Sequence, residues 1–297
     1  MKLKFWGVRG SIATPGPSTV RYGGNTTCIE VRTDDGQVII LDGGTGLHPL
    51  SLSLLAELPV TAHVLISHTH WDHIQGLPFF IPQFIPGNRL EIYGAYDPVT
   101  QKNIGETLSV QLQYSYFPVR EVELKSKPGF HTINQREPFT IADATITPVV
   151  MNHPVIDLGY RIECNGKSLF FTGDHEPPVN IYDEEDESYE IYQSVLNERN
   201  RFIYEVMRGV DVLIADSSYT PEEYRSGKEG WGHGTFDSSI AMARDLDVGR
   251  LFFTHHEPTR SDDALEQVCA EALDRCDCTA DERQRFQLAR EGLELEW

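Results

Sequence analysis

Short apolar runs alternate along the chain with segments rich in Gly, Pro, Asn and Asp, a pattern typical of strands joined by turns. This pattern predicts strands at residues 3–8, 27–33, 37–41, 63–67, 139–150, 159–172, 210–215 and 250–254. Apolar residues at helical spacing predict helices over about 46–56, 188–207, 238–246 and 262–273. The mixture of both element types predicts an α/β fold.

Several predicted strands end directly at a polar residue of the kind that binds metals. The strand at 63–67 is followed by His68, the strand at 210–215 by Asp216, and the strand at 250–254 by His255. Active sites of α/β folds collect at strand ends, because loops there project side chains from a rigid sheet. We therefore expect a sandwich of sheets and helices with its functional side chains along one rim.

Composition and charge narrow the class of ligand. The 297 residues include 45 acidic and 25 basic ones, which gives a formal net charge of −20. This charge argues against a broad basic surface for duplex nucleic acid or anionic lipid, but it leaves room for a local pocket that binds a small anion. The hydrophobic fraction of 40 % is enough for a buried core and argues against global disorder.

The chain shows no signal-peptide pattern and no apolar window of about 18 residues that could span a bilayer. We therefore expect a soluble, cytoplasmic protein that does not associate with membranes. The five cysteines are odd in number and scattered, so they do not predict a disulfide framework. Cys276 and Cys278 are expected at a solvent-facing helix end rather than in a metal site.

The strongest chemical signal is the motif His68-x-His70-x-Asp72-His73, which directly follows a predicted buried strand. Four potential ligands lie within six residues, and imidazoles two positions apart in a loop can converge on one ion. Asp72 and His73 can turn toward a second ion at the start of the next helix. Neutral imidazole and carboxylate suit Zn²⁺, and with more oxygen ligands they also suit Mn²⁺ or Fe²⁺.

This motif resembles the signature of the metallo-β-lactamase superfamily. The resemblance extends to His153 after Met151-Asn152, to Asp174 after Phe171-Thr172-Gly173, and to His255 after Phe253-Thr254. It implies a metallo-β-lactamase-like αββα four-layer sandwich and a single metallo-hydrolase domain over residues 1–297. Two segments are predicted as insertions: 97–119, which is aromatic in a Gln/Ser-rich setting, and 177–208, which contains the acidic run 183–187.

The resemblance also implies a dinuclear site that holds two divalent metal ions, either Zn²⁺ or Mn²⁺, with Fe²⁺ as a third option. The implied ligands are His68, His70 and His153 for the first metal, Asp72, His73 and His255 for the second, and Asp174 as the bridge. A water between two cations is deprotonated near neutral pH, and it would serve as the nucleophile. His256 competes with His255 for the last position, and His255 is preferred because it directly follows the apolar run.

One further histidine lies in a Gly-rich loop, Gly232-His233-Gly234-Thr235. Such a residue could contact a phosphate oxygen, donate a proton to a leaving alkoxide or stabilise charge, so we count His233 with Asp72 and Asp174 as candidate catalytic residues. The alternative is a turn histidine that binds a backbone carbonyl. The loop resembles that of the phosphodiesterase branch of the superfamily, which includes tRNA 3′-processing nucleases and cyclic-phosphate phosphodiesterases.

The opening loop offers candidate substrate contacts. Arg9 is a rare cation in an acidic chain, and its Gly-rich surroundings with Ser11 and Asn25 would let backbone N–H groups approach an anion. A simple strand-to-turn role is the alternative for these residues. His256 is a further candidate contact, and His175 either orients the Asp174 carboxylate or is a plain loop residue.

Together these observations predict a dimetal-dependent phosphodiesterase that cleaves a small cyclic or nucleotide phosphodiester. One alternative is a hydrolase of lactones, thioesters or other acyl compounds, in which His233 has no phosphate to contact. A second is a tRNA 3′-processing endonuclease, which the net charge of −20 disfavours. A third is a non-catalytic metal-binding domain, which the complete ligand set disfavours. The expected partner is a small anionic substrate, and a homodimer is expected only by analogy with the family.

Overall fold

The computed structural model describes residues 1–297 and contains two mixed sheets of seven strands each. The first sheet has the order β14-β1-β2-β3-β4-β5-β6, with β1 Lys2–Gly7, β2 Cys28–Arg32, β3 Val38–Leu41, β4 Thr61–Leu65, β5 Arg89–Gly94, β6 Gly129–Thr132 and β14 Glu294–Glu296. The second has the order β13-β12-β11-β10-β9-β8-β7, with β7 Phe139–Ile141, β8 Ala144–Val150, β9 Leu158–Cys164, β10 Lys167–Phe171, β11 Val212–Asp216, β12 Arg250–Thr254 and β13 Phe286–Leu288.

Eight helices accompany the sheets. They are α1 Leu47–Leu54, α2 Trp71–Ile74, α3 Ile104–Leu108, α4 Tyr189–Met207, α5 Pro221–Arg225, α6 Phe236–Asp245, α7 Asp262–Arg275 and α8 Ala280–Arg285. None of them combines the length and the apolar character that a bilayer-spanning segment requires.

The two sheets follow the same plan of pairing. Strands β1 to β3 and β7 to β10 pair antiparallel, whereas β3 to β6 and β10 to β13 pair parallel. Neighbouring parallel strands need a crossover connection, and helices such as α1, α3 and α4 lie in these connections. The crossovers bring the carboxyl ends of the parallel strands to one edge of each sheet.

Successive side chains of a strand point alternately to the core between the two sheets and to the core between a sheet and its helices. In β3, Ile39 and Leu41 lie in the core between the two sheets, while Val38 and Ile40 lie in the cluster that includes α1 and α3 residues. In β10, Phe171 faces the other sheet and Phe170 packs with residues of α4, α6 and α7. Because both faces of each sheet are covered, inner strands such as β3 and β11 are buried on both sides. The predicted αββα four-layer sandwich is confirmed.

The two segments predicted as insertions both lie in crossovers between parallel strands. Segment 97–119 lies between β5 and β6 and includes α3, and segment 177–208 lies between β10 and β11 and includes α4. Helix α4 buries Ile203 and Met207 in the apolar cluster beside the second sheet. Ile104 of α3 and Arg199 of α4 line the same cavity, which lies beside the predicted ligands.

Candidate metal centre

The predicted ligands are brought together by strand ends from both sheets. His68 and His70 lie in the loop between β4 and α2, and Asp72 and His73 lie in the first turn of α2. Asp174 follows β10, and His255 follows β12. The backbone must approach these side chains closely: a Cβ atom at Gly10 would overlap the His255 ring, and one at Gly232 would overlap the ring of His153.

The first cluster contains three histidines and one aspartate. His70 Nδ1 lies 2.9 Å from His68 Nε2 and 3.3 Å from His153 Nε2. Asp174 Oδ2 lies 3.5 Å from His68 Nε2 and 3.9 Å from His153 Nε2. Four potential ligand atoms thus face one point between the two sheets.

The second cluster uses the other oxygen of the same aspartate. Asp174 Oδ1 lies 3.3 Å from His73 Nε2 and 3.3 Å from His255 Nε2. Asp72 Oδ2 lies 3.3 Å from each of these two nitrogen atoms. Asp174 therefore directs one carboxylate oxygen to each cluster, which is the arrangement that a bridging ligand requires.

These residues fit a pair of divalent cations. Ligand atoms about 2.0–2.2 Å from a tetrahedral ion lie about 3.3–3.6 Å from one another, and the spacings in both clusters are close to this range. His73 Nε2 and Asp174 Oδ1 are also buried without a hydrogen-bond partner, which is costly for polar atoms unless a ligand satisfies them. The nitrogen and oxygen donors suit Zn²⁺ or Mn²⁺.

In most of these histidines, the ring nitrogen that points away from the cluster forms a hydrogen bond with the surrounding protein. His73 Nδ1 is hydrogen-bonded to Asp42 Oδ2 at 2.7 Å. His68 Nδ1 is hydrogen-bonded to Ser67 Oγ at 3.1 Å and also lies 2.8 Å from the carboxylate oxygen Oδ1 of Asp157. In addition, His153 Nδ1 lies 3.0 Å from the Gly232 carbonyl, and His255 Nδ1 lies 2.9 Å from Ser218 Oγ. Such contacts fix the tautomer and orientation of metal-binding imidazoles. Asp42 and Asp157, both fully buried, were not singled out from the sequence.

Replacing Asp157 with asparagine should weaken metal binding about 10- to 100-fold, because His68 would lose the carboxylate that orients it and increases its basicity. The measurement is competition for Zn²⁺ against a chelator of known affinity. Asp183→Asn is the matched control, since Asp183 is exposed in the acidic run. Unchanged Zn²⁺ affinity in Asp157→Asn would show that the buried carboxylate does not support the centre.

In the metal-free protein, the pKa values of the histidines shift in opposite directions in the two clusters. Burial lowers the pKa of His68 and His153, which keeps their imidazoles neutral. Burial is the largest single effect and opposes charge on His73 and His255, but the neighbouring carboxylates together outweigh it and raise the pKa of both. Asp174 and Asp72 act on each of them, with Asp42 added at His73 and Asp216 at His255. Without a cation, the second cluster therefore holds positive charge as protons. Cation binding there should release these protons, which makes metal affinity fall as the pH is lowered.

His233 lies beside both clusters and is held by a carboxylate. Its Nδ1 atom lies 2.9 Å from Asp216 Oδ2 and 3.8 Å from Asp174 Oδ2, and its ring stacks on His255 with a centroid distance of 4.6 Å. Burial opposes a charge on His233, but Asp216 and Asp174 outweigh it and raise its pKa to about 9. Its Nε2 atom has no hydrogen-bond partner in the protein.

The loop that carries His233 is anchored by Glu176, a residue that the sequence analysis missed. The buried Glu176 carboxylate accepts hydrogen bonds from Gly230 N at 2.8 Å, from Gly232 N at 2.7 Å and from the Tyr224 hydroxyl. The carbonyl of Gly232 in turn contacts His153. Glu176 therefore positions both a candidate ligand and the candidate catalytic histidine.

Glu176→Ala should loosen this loop. Hydrogen bonds to a charged group contribute about 1.5–3 kcal/mol each, so amide hydrogen exchange at Gly230 and Gly232 should become at least about tenfold faster. Exchange is followed by mass spectrometry, with Glu229→Ala in the same loop as control because Glu229 is exposed. Equal protection of the two amides in Glu176→Ala and in the unsubstituted protein would contradict the anchoring role.

The four candidate substrate contacts are engaged within the protein. The guanidinium of Arg9 is fully buried and donates to the carbonyls of Gly23 and Arg260, and Asn25 pairs with Glu291 through its N–H and its amide. Ser11 N donates to Asp72 Oδ2 at 2.7 Å, which positions that carboxylate. The side chains of Arg9, Asn25 and His256 are therefore occupied within the protein, whereas the exposed side chain of Ser11 stays a predicted substrate contact.

The structure also separates the neighbouring histidines. His255 directs Nε2 toward Asp72 and Asp174, whereas the fully buried His256 directs Nε2 away from the centre to the Ala289 carbonyl at 2.8 Å. Burial lowers the pKa of His256 to about 3, so this imidazole is neutral. His175 Nδ1 accepts a hydrogen bond from Asn152 N at 3.2 Å and so supports the loop of His153 rather than the carboxylate of Asp174. Cys276 and Cys278 belong to neither cluster, and the expectation that both face solvent is wrong for Cys278, which is buried.

Comparison with known proteins identifies relatives over most of the chain. The model of the beta-lactamase superfamily domain matches residues 38–256. Among curated proteins, the uncharacterized protein Rv1339 of Mycobacterium tuberculosis is 26 % identical over 284 residues, which cover 91 % of this chain and 86 % of that protein. Ribonuclease Z of Thermoplasma acidophilum is 22 % identical over 293 residues, which cover 89 % of each chain.

Solved structures share the fold. The metallo-beta-lactamase fold protein YhfI from Bacillus subtilis aligns with a TM-score of 0.65 and 20 % identity over 99 % of both chains. A diphosphatase of the PhnP family aligns with a TM-score of 0.64 and 19 % identity, covering 100 % of this chain and 97 % of that one. This fold implies divalent metal ions, for which the two clusters are the candidate sites. The family match spans well over half of the sequence, and the chain therefore belongs to the metallo-β-lactamase superfamily of hydrolases.

Proposed function

We propose that this protein is a metal-dependent phosphodiesterase that cleaves small cyclic or nucleotide phosphodiesters. The observation that carries the proposal is the pair formed by His233 and Asp216 at the edge of the two clusters. When bound, two divalent cations supply an activated water and positive charge for the reaction. The residues proposed to hold them are His68, His70, Asp72, His73, His153, Asp174 and His255.

The His233–Asp216 pair is suited to proton transfer. Asp216 binds Nδ1 of His233, and it is itself held by Ser218 Oγ at 2.7 Å and by the backbone N–H of His175 at 3.2 Å. The Nε2–H of protonated His233 is then free to face a substrate. In the metal-free protein Asp216 and Asp174 raise the pKa of His233 to about 9 against the effect of burial. Asp216 is proposed to keep the imidazole protonated beside the bound cations, so that it donates to a phosphate oxygen or to the leaving alkoxide.

The charge of the site also favours an anionic substrate. Only two of the side chains whose atoms converge in the two clusters, Asp72 and Asp174, are carboxylates. Two divalent cations would therefore retain excess positive charge, to which protonated His233 adds. A phosphodiester carries one negative charge, and its transition state places more charge on the oxygens around phosphorus. Neutral lactones and thioesters would gain less electrostatic stabilisation from this positive charge.

The names of similar proteins support phosphorus–oxygen chemistry. One relative is named ribonuclease Z, and one structural neighbour is described as a diphosphatase. The likeness to ribonuclease Z extends over 89 % of both chains, so cleavage of precursor tRNA is the second candidate function. The net charge of −20 and the acidic run 183–187 favour a small substrate over a long polyanion.

The test is hydrolysis of bis(p-nitrophenyl) phosphate by protein loaded with Zn²⁺ or Mn²⁺. We expect turnover that disappears on chelation and returns when metal is added back. The same preparations are assayed with cyclic nucleotides, a precursor tRNA, a lactone and a thioester. Inert phosphodiesters together with turnover of the lactone or thioester would overturn the proposal, and cleavage of precursor tRNA alone would replace it by the second candidate.

A further inference from the structure

A cavity of about 380 Å³ opens beside the first cluster. His68 and its neighbours in segment 66–69 form one side of it together with His153. The remaining walls come from segment 95–107, segment 150–156 and Arg199 of α4. The two crossover segments that were predicted as insertions thus meet at this cavity. Its volume lies within the range of about 300–1,000 Å³ that is common for small-molecule sites. A molecule held at the metal centre would extend into it.

Arg199 is the one lysine or arginine whose side chain lines this cavity. It is half-buried, it donates from Nη2 to the Met151 carbonyl at 2.7 Å, and it forms no ion pair with a carboxylate. Asp97, the one acidic residue in the cavity wall, accepts instead from Val99 N and from the Thr100 hydroxyl of its own turn. The guanidinium therefore keeps several N–H donors for a ligand, in a chain whose net charge is −20.

Apolar side chains lie around this cation. Tyr96, Val155 and Ile156 line the cavity, and the structure leaves 46 %, 41 % and 38 % of them exposed, respectively. Apolar surface that stays exposed next to a polar anchor is typical of a ligand site. The combination suits a planar ring that rests on apolar groups and presents acceptor atoms to a guanidinium.

We propose that this cavity binds the organic group attached to the scissile phosphate, here called the arm of the substrate. The cavity would thereby select a nucleotide-sized phosphodiester. The ring of the arm would pack on Tyr96, Val155 and Ile156, and its acceptor atoms would bind Arg199. This proposal rests on the proposed function, because it assigns the scissile phosphate to the metal centre beside the cavity. The nucleobase is the ring chemistry that fits, since it combines an apolar face with acceptor atoms at its edge.

The experiment is calorimetric titration of metal-loaded protein with adenosine 5′-monophosphate, ribose 5-phosphate and inorganic phosphate, none of which is a phosphodiester. We expect adenosine 5′-monophosphate to bind about tenfold more tightly than ribose 5-phosphate. Arg199→Gln and Tyr96→Ala should each weaken its binding by about tenfold. Arg201→Gln on the same helix and Tyr114→Ala should not, because both side chains are exposed outside the cavity.

The outcomes separate this proposal from the proposed function. Equal affinity for adenosine 5′-monophosphate and ribose 5-phosphate, or nucleotide affinity unchanged by Arg199→Gln, would overturn the cavity proposal even where bis(p-nitrophenyl) phosphate is hydrolysed. If that ester is inert with every metal while nucleotide binding still depends on Arg199 and Tyr96, the proposed function fails and the cavity remains a nucleotide site. Metal content and thermal stability of each variant establish that it is folded.

Discussion

Asp174→Ala should reduce turnover of bis(p-nitrophenyl) phosphate by at least about three orders of magnitude. Asp174 directs Oδ2 to the first cluster and Oδ1 to the second, so its removal takes one ligand from each. Metal ions at a hydrolytic centre contribute several kcal/mol to transition-state stabilisation, and about 1.4 kcal/mol corresponds to a factor of ten in rate. The measurement pairs turnover with metal content by inductively coupled plasma mass spectrometry.

The metal content of Asp174→Ala should fall below that of the unsubstituted protein. Asp183→Ala serves as control, because it makes the same substitution at an exposed residue of the acidic run that is not among the predicted ligands. If Asp174→Ala kept both metals and most of its turnover, Asp174 would not bridge the two clusters. The assignment of one oxygen to each cluster would then be wrong.

His233→Ala should lower the kcat for phosphodiesters by about 10²- to 10⁴-fold while the metal content is unchanged. The range is the usual contribution of a positioned general acid or base. Asp216→Asn should show a smaller loss, since His233 remains but loses the carboxylate that binds Nδ1 and raises its pKa. The double variant should be little worse than His233→Ala, because the two residues act as one unit.

Metal content decides between two roles for His233. Atoms of His233, Asp216, Asp174 and His255 also lie close enough together to hold a cation, so His233 could be a ligand rather than a proton donor. Loss of metal in His233→Ala would show that it is a ligand and would contradict the catalytic role. His131→Ala is the matched control, because His131 is exposed and pairs with Glu91 on another part of the first sheet.

Much of the fold could be predicted because its strands are short, apolar and ended by turns. The prediction of 250–254 coincides with β12, and those of 37–41 and 210–215 fall within two residues of the bounds of β3 and β11. The strands β5, β6, β13 and β14 were not predicted. Two of them, β13 and β14, are very short. Each has three residues, and β14 places Glu294 and Glu296 around one leucine, so neither shows a hydrophobic run. Their pairing with β12 and β1 depends on tertiary contacts.

The candidate metal ligands could be predicted from the sequence, but the residues that position these ligands could not. His68, His70, Asp72 and His73 share one short motif, whereas Asp157 contacts His68 from 89 positions further along the chain. No local pattern marks such a partner, because only the packing of the two sheets brings it close. Glu176 is similar, since its role depends on a loop more than 50 residues later.

In the opening loop, the role that the sequence predicts for Arg9 differs from the role that the structure shows. A Gly-rich stretch with an arginine is typical of an anion site, yet the buried Arg9 already donates to the backbone carbonyls of Gly23, Glu257 and Arg260 and pairs with the Asp262 carboxylate. Three of these partners lie some 250 residues away in the chain, so the sequence does not indicate that the guanidinium is buried. Arg199, in contrast, lies within a long helix with no motif around it, and only the structure places it in a cavity.

The most direct test of the central claim is the substrate preference of one metal-loaded preparation. The measurement is kcat/KM for bis(p-nitrophenyl) phosphate and for a lactone and a thioester, each with and without chelator. The His233–Asp216 pair beside the two clusters predicts metal-dependent turnover with a clearly higher kcat/KM for the phosphodiester than for either acyl compound. A higher kcat/KM for the lactone or the thioester, with the phosphodiester inert, would contradict it.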